Sequence, residues 1–150
     1  MKLDFRRRFG FLASDVARLY GQQFDRAARE QLGLSQPQVR LLGVLAAHGD
    51  DAPLSQADLA QRLGLSAMAV GSLCDRMASA GWIRREPHAT DRRINLLQLE
   101  PRAAKALAKA MEIGDALSAK ALGGLSGAER AQLLALLART RDALMDEKSA

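Results

Sequence analysis

The chain has 150 residues and a formal net charge of +5, with 48% hydrophobic residues, two histidines and one cysteine. That length suffices for one domain with its own core; the lone Cys74 excludes an internal disulfide, and neither a CxxC pair nor a histidine cluster offers a metal site, so no metal or cofactor is expected. Apolar runs such as Leu41 to Ala47 fall far short of the ~20 residues that span a bilayer, and Arg6, Arg7, Arg8 and Asp15 interrupt any signal-peptide core, so the expected location is the cytoplasm, away from membranes, with a polyanionic partner favoured by the charge.

Periodicity and stop signals predict helices at about 4–31, 36–48, 56–63, 66–80, 101–121 and 127–145. In the first, Phe5, Phe9, Leu12, Val16, Leu19, Tyr20, Phe24 and Ala27 recur at three- and four-residue steps and form one apolar stripe. Burial of that stripe in the core is the default expectation; the alternative is a helix shared between a subunit interface and a ligand cavity. Phe11 lies off the stripe, on the side of Arg7, Ser14 and Arg18, which makes Phe11 and Arg18 candidates for holding an aromatic carboxylate.

Three helix starts carry a capping signature: SQPQ at Ser35, SQAD at Ser55 and SGAE at Ser126. In each, the Ser hydroxyl can accept from the backbone N–H three residues on, and the Gln, Asp or Glu there can reach back. Glycines precede several of these stops, in LGLS at 32–35 and 63–66 and GGLS at 123–126, where a left-handed residue would end one helix before Ser begins the next.

The segment from Gln56 to Leu73 has helix-turn-helix spacing. Two crossing helices need a small residue at their contact, a glycine in the turn and a branched apolar residue facing back. Ala60, Gly64 and Val70 stand at those offsets, and Leu59, Leu63, Leu65 and Leu73 fill the adjacent core positions. With Val70, Leu73 and Met77 inward, helical geometry turns Ala67, Met68, Gly71, Ser72 and Asp75 outward. That face is small and suits close approach to base edges in a major groove, with Ala67 or Met68 against thymine methyls and Ser72 as a hydrogen-bonding group. It carries no arginine for a bidentate guanine contact.

After this motif, Pro87 blocks helix continuation and the apolar run INLLQL has no helical cap, so a two-stranded hairpin with its loop around Pro87 to Arg92 is expected. Arg84, Arg85, Arg92 and Arg93 crowd onto it. Like charges so close repel one another unless a partner compensates them, and a hairpin after a helix-turn-helix is a wing whose tip reaches phosphates and a narrow minor groove. Asp91 can pair with Arg93 and fix its direction. The competing reading is a solvated basic loop. The last two helices, rich in Ala and Leu, have apolar positions on more than one face, which points to a partner for the chain's two ends.

The sequence from Leu63 to Pro101 resembles the helix-turn-helix and wing of the MarR (multiple antibiotic resistance regulator) family, in the style of its SlyA-like members, and the stretch from Gln31 to Gly49 resembles that family's second helix. The most specific element is the wing pattern Asp, any residue, Arg at Asp91 and Arg93. The resemblance implies a mainly α chain with a small β-hairpin wing, a winged helix-turn-helix lobe at about 35–100, and helices at about 1–34 and 101–150 forming a dimerisation layer within one domain. It further implies a homodimer on pseudo-palindromic double-stranded DNA, often a repressor released by small aromatic or phenolic ligands. Motif and resemblance together nominate Ser55, Gln56, Ser66, Ala67, Met68, Gly71, Ser72, Arg76, Arg84, Asp91, Arg92 and Arg93 as DNA-contacting residues, and Phe11 and Arg18 as effector-binding ones. Many relatives carry Arg where this chain has Ser72 and Thr where it has Ala69, so their base contacts do not transfer. A peroxide-sensing branch uses a cysteine in the first helix, where this chain has none; Cys74 reads as a small core residue.

Two other function classes compete. An enzyme would need a nucleophile, base and orienting group together, and none gather here. A winged-helix interaction module or anti-repressor without sequence-specific DNA binding would not need Arg93.

Overall fold

A computed structural model describes residues 4–49 and 53–146. They form six helices and a small sheet: α1 (Phe9–Leu32), α2 (Gln36–His48), β1 (Leu54–Ser55), α3 (Gln56–Leu63), α4 (Ala67–Ser79), β2 (Ile83–Pro87), β3 (Asn95–Leu99), α5 (Arg102–Ala121) and α6 (Gly127–Asp146). The chain divides into two compact units, Met1–Gly114 and Asp115–Ala150. Among the described residues, no helix is long and apolar enough to cross a membrane.

In the larger unit the capping signatures set the helix starts. Ser35 accepts from the Gln38 N–H at 3.3 Å while the Gln38 side chain accepts from the Ser35 N–H at 2.8 Å. Ser55 and Asp58 repeat the arrangement at α3, and Ser66 accepts from the Ala69 N–H at 3.1 Å to start α4. Asp25 adds a link that the sequence reading did not include: its carboxylate accepts from the Gln36 N–H and from Arg29 Nε, both at 2.7 Å, fastening the end of α1 to the start of α2. The Gln36 N–H, followed by Arg29, holds the Asp25 carboxyl below the usual carboxylate range.

The core lies between α2, α3, α4 and the sheet. Leu41, Leu42, Leu59, Val70, Cys74, Met77, Ile83 and Leu97 are its fully buried side chains, the larger ones each stabilising the fold by about 1.5–3 kcal/mol relative to exposure. Ala103, Ala106 and Ala110 close it from α5. Arg102 lies over the Trp82 ring at 3.8 Å and donates to the Ala80 carbonyl at 2.7 Å, so one cation joins the start of α5 to the end of α4.

The sheet has three strands where the sequence predicted two. β3 is central, in the order β1-β3-β2, with Leu54 opposite Leu97 and Ile83 opposite Leu99, both pairings antiparallel. A two-residue strand shows no alternation to read; what holds β1 is the buried Leu54. Three other expectations are corrected. Helix α1 begins at Phe9 rather than near residue 4, because the carboxylate of Asp4 accepts from the Arg6 N–H, the Arg8 N–H closes a turn onto Phe5, and Arg8 supplies no side-chain cap. Its apolar stripe is not core along most of its length: Phe5, Phe9, Leu12, Val16 and Leu19 are exposed, and only Ala28 is buried in the helix. At 24 residues α1 runs ~36 Å, far past the 13-residue α2 on which it packs. Leu65, expected in the core, is exposed because it sits in the turn just beyond Gly64.

In the smaller unit, the Ser126 and Glu129 capping box starts α6 as expected, and Arg130 Nε donates to the carbonyls of Leu122 and Leu125 to close the preceding turn. Gly123 and Gly124 do not adopt the left-handed conformation that Gly33 and Gly64 use. Among the described residues of α6 none is buried, and Leu134, Leu136, Leu137, Leu144 and Met145 are exposed.

Candidate nucleic-acid interface

Gly64 makes the turn of the helix-turn-helix. Its φ of 66° lies in the left-handed region, and its N–H returns to the last turn of α3, a conformation strained for any residue with a Cβ. Ala60 and Val70 are buried where α3 and α4 pack. The inward set of α4 is Val70, Cys74 and Met77, with Leu73 partly covered. Outward, Ala67, Met68, Ser72 and Arg76 are exposed, and Met68 stands 85% exposed in the first turn of the helix. Arg76 has no partner among the described residues and lies in the last turn of α4, so the first two turns present only small or apolar groups. Ser55 and Ser66 lie at the N-termini of α3 and α4 with their hydroxyls occupied as caps.

At the tip of the wing the expected pairing of Asp91 with Arg93 is present. The Asp91 carboxylate accepts from the Arg93 backbone N–H at 3.0 Å, from Nε at 3.1 Å and from Nη2 at 3.0 Å. The Arg93 side chain is nonetheless 90% exposed, so the guanidinium is oriented and still available. The Arg93 guanidinium, followed by its backbone N–H, holds the Asp91 carboxyl below its ordinary range. His88 organises the same turn: its Nδ1 accepts from the Thr90 N–H at 3.2 Å and the Asp91 N–H at 3.1 Å, while the His88 N–H donates to Ile94. Arg92 is exposed with no partner among the described residues.

The base of the wing differs. Arg84 donates to Glu86 at 3.0 Å, to Gln98 and to the Leu99 carbonyl, and lies 3.7 Å from Glu100. Arg85 turns to the other face of β2. Its Nη1 meets Asp75 at 2.6 Å, Nε donates to the Gln56 side chain at 3.2 Å and Nη2 reaches the Gly71 carbonyl at 3.5 Å. Strand alternation carries the signal for this: Ile83 must point inward, so Arg85, two residues on, shares its face. Gln56 and Gly71, nominated as DNA contacts, are thereby drawn into a junction with the wing. Cys74 is buried beside this junction, and burial pushes its thiol up to about 11, the opposite of a reactive thiolate. Phe11 and Arg18 lie on α1, Phe11 with its ring stacked on Phe5 at 5.2 Å and Arg18 paired with Asp15 at 3.1 Å.

Comparison with known proteins follows these elements. A model of the MarR family matches residues 32–94, from the end of α1 to the wing. The transcriptional regulator HosA of Escherichia coli O157:H7 is 30% identical over 124 residues, 83% of this chain and 89% of its own length. Among solved structures, the S. aureus MepR–DNA complex superposes with a TM-score of 0.75 at 25% identity, covering 90% of this chain and 97% of that one. The reduced form of MarR from E. coli superposes with a TM-score of 0.77 at 22% identity, covering 88% and 95%.

Proposed function

The chain belongs to the MarR family of DNA-binding transcriptional regulators, and from that premise we propose that it grips double-stranded DNA as a homodimer, with α4 in a major groove and Arg93 in the adjoining minor groove. It is not an enzyme. The observation that carries the reading is the arginine of the wing tip, held by three hydrogen bonds to Asp91 and still almost fully exposed. A cation fixed in direction loses little freedom on binding, and a narrow minor groove is where negative potential is strongest. The small face of α4 lets the helix approach base edges, so direct readout rests on apolar contact from Met68 and hydrogen bonding from Ser72, and affinity leans on phosphates and the wing. A solved complex of MepR, a similar protein, with DNA supports the binding of DNA.

The homodimer is supported by the large apolar side chains exposed on α1 and α6, more than a solitary chain gains by showing water. Repression follows when the dimer occupies a promoter. For a small aromatic or phenolic effector at Phe11 and Arg18, the ligand must compete with Asp15 for the guanidinium and with Phe5 for the ring; an unchanged ligand response in Phe11→Ala sinks that site. The DNA reading itself is tested by fluorescence anisotropy with the duplex this protein selects from a random-sequence library, at two salt concentrations. Binding must weaken steeply as salt rises. A chain that selects no duplex is an interaction module instead.

A further inference from the structure

We propose that Arg85 is the positioning residue that joins the wing to the recognition helix, so that the two groove contacts form as one event. The proposal rests on the reading of this chain as a DNA binder. Arg85 leaves β2 and reaches three acceptors on two helices: Asp75 and Gly71 on α4, and Gln56 at the start of α3. Each nitrogen with a donor is thereby engaged, and the planar fork fixes direction as well as distance. No other side chain of β2 makes a hydrogen bond to α4 among the described residues. β2 and α4 are otherwise joined through buried apolar contacts near Ile83 and Met77, which resist separation better than they resist rotation.

The consequence concerns effective concentration. A wing held at a fixed angle to α4 meets its groove as soon as the helix is seated, whereas a loose wing must search for it. Arg85 also neutralises Asp75, an exposed carboxylate on the DNA-facing helix. This explains an otherwise adverse residue: a negative charge where phosphates approach is kept because it is the far anchor of the brace. The side chain of Arg85 is more than two-thirds covered and each of its three nitrogens already donates a hydrogen bond within the protein, which sets it apart from the exposed arginines of the tip.

The test uses the full chain and its selected duplex, with anisotropy titrations of wild type, Arg85→Met, Arg93→Ala and the double variant, each repeated over a salt series. Arg85→Met should weaken binding on the order of tenfold, with a lower salt slope because the wing-tip arginines it positions engage the DNA less. In the Arg85→Met background, Arg93→Ala should then cost much less than in wild type, since an unpositioned wing has little left to lose. Arg85→Lys should recover only part of the affinity, because an ammonium pairs with Asp75 without the fork. Additive effects of the two substitutions overturn the proposal. If Arg85→Met does not fold, Asp75→Asn removes the anchor from the other side. Charge counting has that variant bind DNA more tightly with the Arg93 effect intact; the brace requires the Arg93 effect to shrink, and an intact effect again overturns it. A wild type that binds no duplex refutes the DNA-binding reading itself, and the brace falls with it; the other outcomes bear on the brace alone.

Discussion

Arg84 and Arg85 at the base of the wing commit their guanidinium groups to the protein, whereas Arg92 and Arg93 at its tip face solvent, one without a partner among the described residues and one oriented by Asp91. All four are the same side chain on the same hairpin, and their charges sum to a basic patch on paper. Position in the strand separates them. Within β2 the alternation of faces sends Arg84 to Gln98 and Glu86 and sends Arg85 to the helices, where the Asp75 carboxylate, the Gln56 amide oxygen and the Gly71 carbonyl accept from it. The tip has left the ladder, so its arginines have no strand neighbours to satisfy them. Counting charges therefore overstates what this wing offers to DNA and misses what its base does for geometry.

The sharpest division lies within the tip. Arg93→Ala should weaken binding to the selected duplex roughly 10- to 100-fold, while Arg92→Ala should cost less and lower the salt slope by about one, as loss of a phosphate contact does. Equal losses from the two would leave the tip an undifferentiated patch. Asp91→Ala comes next. It removes a negative charge from a DNA-facing loop, so charge counting has binding tighten; with Arg93 losing its direction, we expect binding several-fold weaker, on the order of the ordering cost of one long side chain. Tighter binding at physiological salt by a folded dimer would refute the orienting role. The pair also fixes a pH dependence. Because Arg93 lowers the folded-state pKa of Asp91, the stabilisation is present above the ordinary carboxylate pKa of ~3.9 and is lost only as pH falls through the lowered value. A carboxyl-carbon NMR titration should show the Asp91 midpoint rise in Arg93→Ala; an unmoved midpoint means the two do not pair in solution.

How much of this was legible follows from where the information lies. Caps are local, and Ser35, Ser55, Ser66 and Ser126 were all readable because their partners sit three residues away. Helix-turn-helix offsets are nearly as local, and Ala60, Gly64 and Val70 took the places their spacing assigned. Asp91 and Arg93 were legible for the same reason. The brace was not, since Gln56 is 29 residues from Arg85 and no local pattern joins them, although the alternation from Ile83 did indicate which face Arg85 takes. The stripe of α1 misled in another way: periodicity shows that a helix has an apolar face, and not whether its own chain covers it. Leu65 followed the motif's spacing into a turn that solvent reaches, and Leu54 made a strand too short for any period to announce.

The smallest expected effect belongs to Arg84, and it bears most directly on the contrast between base and tip. Arg84→Gln removes one positive charge from the same hairpin, so a wing acting only through its field should bind DNA more weakly whichever arginine is lost. Against that stands the occupancy of the Arg84 guanidinium, which already faces Glu86, Gln98, Glu100 and the Leu99 carbonyl. To reach a phosphate it must abandon them. Its remaining influence is long-range, and at physiological salt such influence fades over ~8 Å. Affinity for the selected duplex should therefore stay within about twofold of wild type and the salt slope should not change. Because exposed ion pairs contribute little to folding, Tm should fall by no more than about 3 °C. If Arg84→Gln instead matched the loss from Arg93→Ala and lowered the salt slope by about one, the base arginines would be exchanging their carboxylates for phosphates on binding, and the division between base and tip would hold only in the absence of DNA.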